Sequence, residues 1–125
     1  MVLTSFSVFA QTTFNDVAVE RGVAACTRGQ EGYGFGASAA DFDNDGDVDI
    51  YVARPENEPD RVYRNLGNGS FEEVAAQLGL DSNQRARGGL WFDYDGDDRL
   101  DLLITSDCFS DNCGNLESVL HLYRQ

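Results

Sequence analysis

Between residues 48 and 53 the chain reads VDIYVA, with apolar Val48, Ile50 and Val52 alternating with Asp49 and Tyr51. This period of two is the signature of a β-strand. A second apolar run, LDLLIT (100–105), follows a similar acidic loop, and shorter apolar-polar stretches stand at VYRN (62–65) and LYRQ (122–125). Asn68 and Gly69 in NLGNGSF (65–71) predict a two-residue hairpin turn leading into the next strand. The pattern is that of a β-rich chain of short strands joined by tight turns.

Self-similarity organises these strands. GASAADFDNDGDVDIYVA (36–53) lies over GGLWFDYDGDDRLDLLIT (88–105) at a shift of 52. Asp41, Asp43, Asp45 and Asp49 then fall on Asp93, Asp95, Asp97 and Asp101. FNDVAVERGV (14–23) likewise matches FEEVAAQLGL (71–80), and VYRN matches LYRQ. A repeat of roughly 55 residues, each with about four short strands, reads as a propeller blade. The expected organisation is a first repeat at 12–70 and a second at 71–125, preceded by residues 1–11. The second repeat is expected to be truncated, because the chain stops on LYRQ where the first copy continues into its last strand.

The stretch GFGASAADFDNDGDVDIYVA followed by RVYRNLGNGSF resembles the FG-GAP or VCBS-type repeat of integrin alpha-chain propellers and bacterial secreted proteins. The added F..VA...G segments are similar to those of the ASPIC/UnbV group and of cartilage acidic protein relatives. The resemblance covers nearly all of residues 12–125. It implies a seven-bladed calcium-binding β-propeller, of which this chain would hold about two four-stranded antiparallel blades, with a role in adhesion or protein recognition. The alternative is that the chain is the scaffold part of an extracellular carbohydrate-active enzyme.

Charge sharpens the picture. The 125 residues carry 22 acids against 9 bases, a formal net charge of -13. Such a balance disfavours nucleic acid and anionic membrane surfaces and favours cations. Ten of the acids lie in two windows, 41–49 and 93–101. The acidity is therefore local. Close carboxylates repel by about 1 to 4 kcal/mol per pair at 4 Å, whereas Ca2+ gathers six to eight oxygens at about 2.3 to 2.6 Å.

The first loop is assigned the side chains of Asp41, Asp43, Asp45 and Asp49 and the main-chain carbonyl of Asp47. The second is assigned Asp93, Asp95, Asp97 and Asp101 and the carbonyl of Arg99, so two Ca2+ sites are expected. Phe42 and Val48, and in the second loop Tyr94 and Leu100, are expected to pin the loops to the blade. Gly46 supplies a positive φ that Asp98 must supply in the second loop, which predicts a weaker second site. An EF-hand loop is excluded, since its position-twelve acid is replaced by Val52 and Ile104 and the flanks read as strands.

Other signals point to structure rather than catalysis. Gly32, Gly34 and Ala37 satisfy GxGxxA, but an acidic loop follows instead of a helix. His121 is the only histidine, so no histidine-based triad is expected, and it is assigned a solvent or backbone partner. Trp91 reads as core. The expectation is a module without enzymatic activity, with calcium as a partner, protein or carbohydrate ligands bound through the full propeller, and with no nucleic acid and no membrane span. Cys108 and Cys113 can form a short disulfide loop or remain thiols, with Cys26 left over. MVLTSFSVFAQ resembles the end of a secretory signal, which places the protein outside the cytoplasm, extracellular or periplasmic.

Overall fold

The computed structural model describes residues 13–23, 36–54, 58–80, 86–106 and 120–125. Within them the alternating stretches become two antiparallel sheets. The first contains β1 (Ala37–Ala40), β2 (Asp49–Val52), β3 (Arg61–Asn65) and β4 (Phe71–Glu73). The second contains β5 (Ala86–Phe92), β6 (Asp101–Ser106) and β7 (Leu120–Tyr123). Strands pair only with their sequence neighbours, so each sheet is a meander. A single turn, α1 (Ala18–Arg21), is the one helix among the described residues. The all-β expectation holds. Cys26, Cys108, Cys113, Gly32, Gly34 and the leader-like segment 1–11 lie outside the described residues.

Sheet and sequence repeat run out of phase. Phe71–Glu73, which opens the second sequence copy, is the outer strand of the first sheet, with Asn65 opposite Phe71 and Tyr63 opposite Glu73. The connection between β3 and β4 is wider than a two-residue turn. Leu66 N–H donates to Ser70 O at 3.0 Å, with Gly67, Asn68 and Gly69 between them, and both glycines have positive φ.

The two sheets stack through one face of each. Tyr51, opposite Val62 on β3, is fully buried, and its ring lies over Gly89 of β5. A methyl group at Gly89 would sit 2.6 Å from Tyr51 Cε1, so the absent side chain is what admits the ring. Leu102 and Ile104 of β6 are buried on the same interface, and Phe42 stacks on Trp91 with centroids 5.6 Å apart. Trp91 is half-buried and packs against the edge of the core instead of lying inside it. Full burial of a large apolar side chain such as Leu102 or Ile104 contributes about 1.5 to 3 kcal/mol. At the inner edge Gly36 N–H donates to Arg87 O at 2.8 Å and links the sheets through the backbone.

The inward parity of β2 differs from expectation. Asp49 and Tyr51 are the buried pair, while Ile50 and Val52 are half-buried and Val48 is 54% exposed. Hydrogen bonding explains this. Tyr51 donates its hydroxyl to Asp60 at 2.8 Å, and Asp60 also accepts the Arg54 N–H at 2.9 Å. A polar group whose bonds are all made can be buried, and the apolar neighbours are then left at the flank. Burial pushes the Asp60 carboxyl above its usual range, against the pull of its Arg54 and Tyr51 donors. Burial, and after it the Asp60 charge, pushes the Tyr51 hydroxyl up. His121 also departs from expectation, because its Nε2 faces the side chain of Ser106 at 3.4 Å.

Candidate metal centre

Each acidic loop connects the first two strands of its sheet, and each is built by the same hydrogen bonds. Asp41 accepts the N–H groups of Asp45 at 3.0 Å and Gly46 at 2.9 Å. Asp93 does the same for Asp97 at 3.2 Å and Asp98 at 3.0 Å. Asp45 and Asp97 then accept the N–H two residues on, from Asp47 and Arg99. The loops are Asx-type turns, which aspartate forms because its carboxylate reaches its own nearby backbone.

The last aspartate of each loop has a second role that sequence reasoning did not identify. Asp49 is fully buried and accepts from Phe42 N–H at 3.0 Å and from Asn65 N–H at 2.7 Å. Asp101 accepts from Tyr94 N–H at 3.1 Å and Gln125 N–H at 3.0 Å. Each therefore ties the start of its loop to the end of the third strand of its sheet. The signal was present in the repeat: the aspartate recurs in register with the residue after YR, Asn65 or Gln125. Burial is the largest influence on Asp49 and raises its carboxyl, the Asn65 and Phe42 donors pull it down, and Asp43 and Asp45 push it up again.

Carboxylate oxygens of Asp41, Asp43 and Asp49 lie within 4.8 Å of one another, and so do those of Asp93, Asp95 and Asp101. Two oxygens bound to one calcium ion at 2.3 to 2.6 Å lie at most about 5 Å apart, so these two clusters have the spacing of a shared cation. Asp43 Oδ1 adds to the fit, since it is sealed from solvent and accepts no hydrogen bond. A buried carboxylate oxygen with no donor is costly unless a cation takes that place. Asp45 and Asp97 stand outside the two clusters. Asp97 is engaged by the Arg99 guanidinium, which holds its carboxyl below the usual range. The Asp47 carboxylate is directed at Gly67.

Of the residues expected to pin the loops, Phe42 is buried and does so, and Leu100 lines an apolar cavity. Val48 and Tyr94 are instead exposed, because the buried Asp49 and Asp101 carboxylates tether the loop ends in their place. Backbone strain also fails to rank the loops. Gly46 (φ 93) and Asp98 (φ 65) are left-handed as expected, but so are Asn44 (φ 59) and Gly96 (φ 79). Each loop thus places one glycine and one Asx residue at its two left-handed positions, in opposite order, and the penalties balance.

What separates the loops is arginine. Arg64 on β3 is held by Glu72 of β4 at 2.7 Å. Its repeat partner Arg124 reaches Asp95 at 2.9 Å and Asp97 at 3.5 Å. An arginine on the ligand carboxylates competes with a cation. Arg124→Gln is expected to tighten divalent binding at the second loop while leaving the first unchanged, as read by isothermal titration calorimetry. The loops themselves adjoin, with Asn44 Nδ2 3.5 Å from the Asp98 carbonyl.

The FG-GAP-like repeat family model matches residues 41–104, just over half of the chain. Among curated proteins, mouse cartilage acidic protein 1 is 34% identical over 89 residues, and human cartilage acidic protein 1 is 33% identical over 89 residues. These alignments take in 70% of this chain and 13% of each relative, so the chain spans a small part of the proteins it matches.

Proposed function

Because the chain belongs to the FG-GAP-like repeat family, we propose that it is a calcium-binding, propeller-type repeat module whose two ions are structural. Asp41, Asp43 and Asp49 hold the first ion, and Asp93, Asp95 and Asp101 the second. Asp45, Asp97 and the main-chain carbonyls of Asp47 and Arg99 complete the shells. The observation that carries this reading is the sealed, donor-less Asp43 Oδ1 inside the first cluster. The bound charge relieves the repulsion among the loop carboxylates and fixes the β1–β2 and β5–β6 hairpins.

The module acts outside the cytoplasm in adhesion or protein recognition, without catalysis of its own. Its acidic loops and its similarity to an acidic protein of cartilage support that setting. Extracellular modules bind calcium at about 0.1 to 1 mM. At about 1 mM calcium, each site therefore adds on the order of 0.4 to 1.4 kcal/mol of stability by mass action. Titration of calcium into chelator-treated protein is expected to release or absorb heat and raise the melting temperature. Absence of both would refute the calcium reading.

A further inference from the structure

We propose that Asn68 is a self-modifying site: attack by the Gly69 nitrogen expels its side-chain amide as ammonia and leaves aspartate or isoaspartate in its place. An aspartate or asparagine precedes glycine at three steps of the chain, 45–46, 68–69 and 95–96. A succinimide ring closes most readily at such a step, because glycine has no side chain to hinder its own nitrogen. In the two acidic loops that nitrogen is engaged. Gly46 N–H donates to Asp41 at 2.9 Å and Gly96 N–H to Asp93 at 2.6 Å. Among the described residues Gly69 N–H donates to nothing. The carbon to be attacked differs as well. At Asp45 and Asp95 it belongs to a carboxyl group, which when ionised is a poor electrophile, and at Asn68 to a neutral amide.

The turn prepares that amide for attack. Asn68 is exposed to water, and its Oδ1 accepts from the Ser70 N–H at 3.0 Å and from the Ser70 hydroxyl at 2.5 Å. Two donors on one carbonyl oxygen draw electrons from Cγ and stabilise the oxyanion that forms when a nitrogen adds there. The step balances without an oxidant or a reductant. Gly69 N gives its proton to water and bonds to Asn68 Cγ, and the Cγ–Nδ2 bond breaks as Nδ2 takes up a proton and leaves as ammonia. Water then opens the ring. Cleavage at Cγ gives aspartate, and cleavage at the main-chain carbonyl gives isoaspartate, in which the chain runs through Cβ and Cγ. Either product adds a negative charge to the β3–β4 connection, beside Gly69, whose carbonyl accepts from Arg21 Nη1 at 3.2 Å.

Incubation of the 125-residue chain in warm, mildly alkaline buffer tests this, with peptide mass mapping and methyl labelling by an isoaspartyl methyltransferase as readouts. Asn68 is expected to convert ahead of Asn44 and Asn65, giving both products. Ser70→Ala should slow the conversion about threefold or more, a smaller loss than that of an oxyanion donor in a site closed to water. Ser70→Thr, which keeps a hydroxyl, should retain the wild-type rate. Conversion of Asn68 no faster than that of Asn44 and Asn65 overturns the proposal, and so does a rate that Ser70→Ala leaves unchanged. Neither readout involves calcium, so failure here leaves the calcium reading untouched.

Discussion

Asp49→Ala is expected to cost about 2 to 6 kcal/mol even in chelator, because it orphans the Phe42 and Asn65 N–H groups, at about 1 to 3 kcal/mol each. That approaches the whole stability of a small domain. Asp43→Ala should behave differently. Asp43 Oδ1 accepts no hydrogen bond, so in chelator its loss should be close to neutral, within about 1 kcal/mol, while the calcium-induced rise in melting temperature at the first loop disappears. Urea denaturation of both variants, with calcium and with chelator, separates the tether from the ligand. If the two variants are equally destabilised in chelator, Asp49 is not the tether the hydrogen bonds describe.

Tyr51→Ala is the second large effect, at about 3 to 5 kcal/mol, since a fully buried aromatic is removed from between the sheets. Tyr51→Phe divides this cost. It keeps the ring over Gly89 and leaves Asp60 without its hydroxyl donor, for about 1 to 3 kcal/mol. Gly89→Ala brings a methyl group to 2.6 Å from the Tyr51 ring and 3.1 Å from Leu102, an overpacking worth about 1 to 3 kcal/mol. The two sites should couple. With the ring gone, the alanine at 89 has room, and the double variant should be more stable than the sum of the single effects predicts. Strict additivity in thermal melts would place Tyr51 and Gly89 out of contact.

Repetition made much of this architecture legible. The shift that superposes Asp41 on Asp93 located both acidic loops, and alternation located β2 and β6. What a pattern of apolar and polar letters does not carry is which polar residues find partners. Asp49 and Tyr51 look like the solvent face of β2, and they are its buried face because Asn65, Phe42 and Asp60 satisfy them. Asp60 itself sits in a connection with no periodicity, and its partner Tyr51 is nine residues away. The left-handed Asn44 was hidden for a related reason, since attention to glycine misses the Asx residue that substitutes for it. Arg124 and Arg64 occupy equivalent positions of the repeat, yet Arg64 pairs with Glu72 and Arg124 with Asp95, a difference the letters do not carry.

The neighbour-only pairing of strands also governs how the chain reaches this state. Every backbone ladder closes a loop to the preceding strand, so each meander can zip up by successive hairpins without waiting for distant segments. The non-local step is the docking of Tyr51 over Gly89, which buries the facing sides of the two sheets in one shared core. Within each sheet the contacts are therefore local in sequence, and the long-range contacts are concentrated where the two sheets meet.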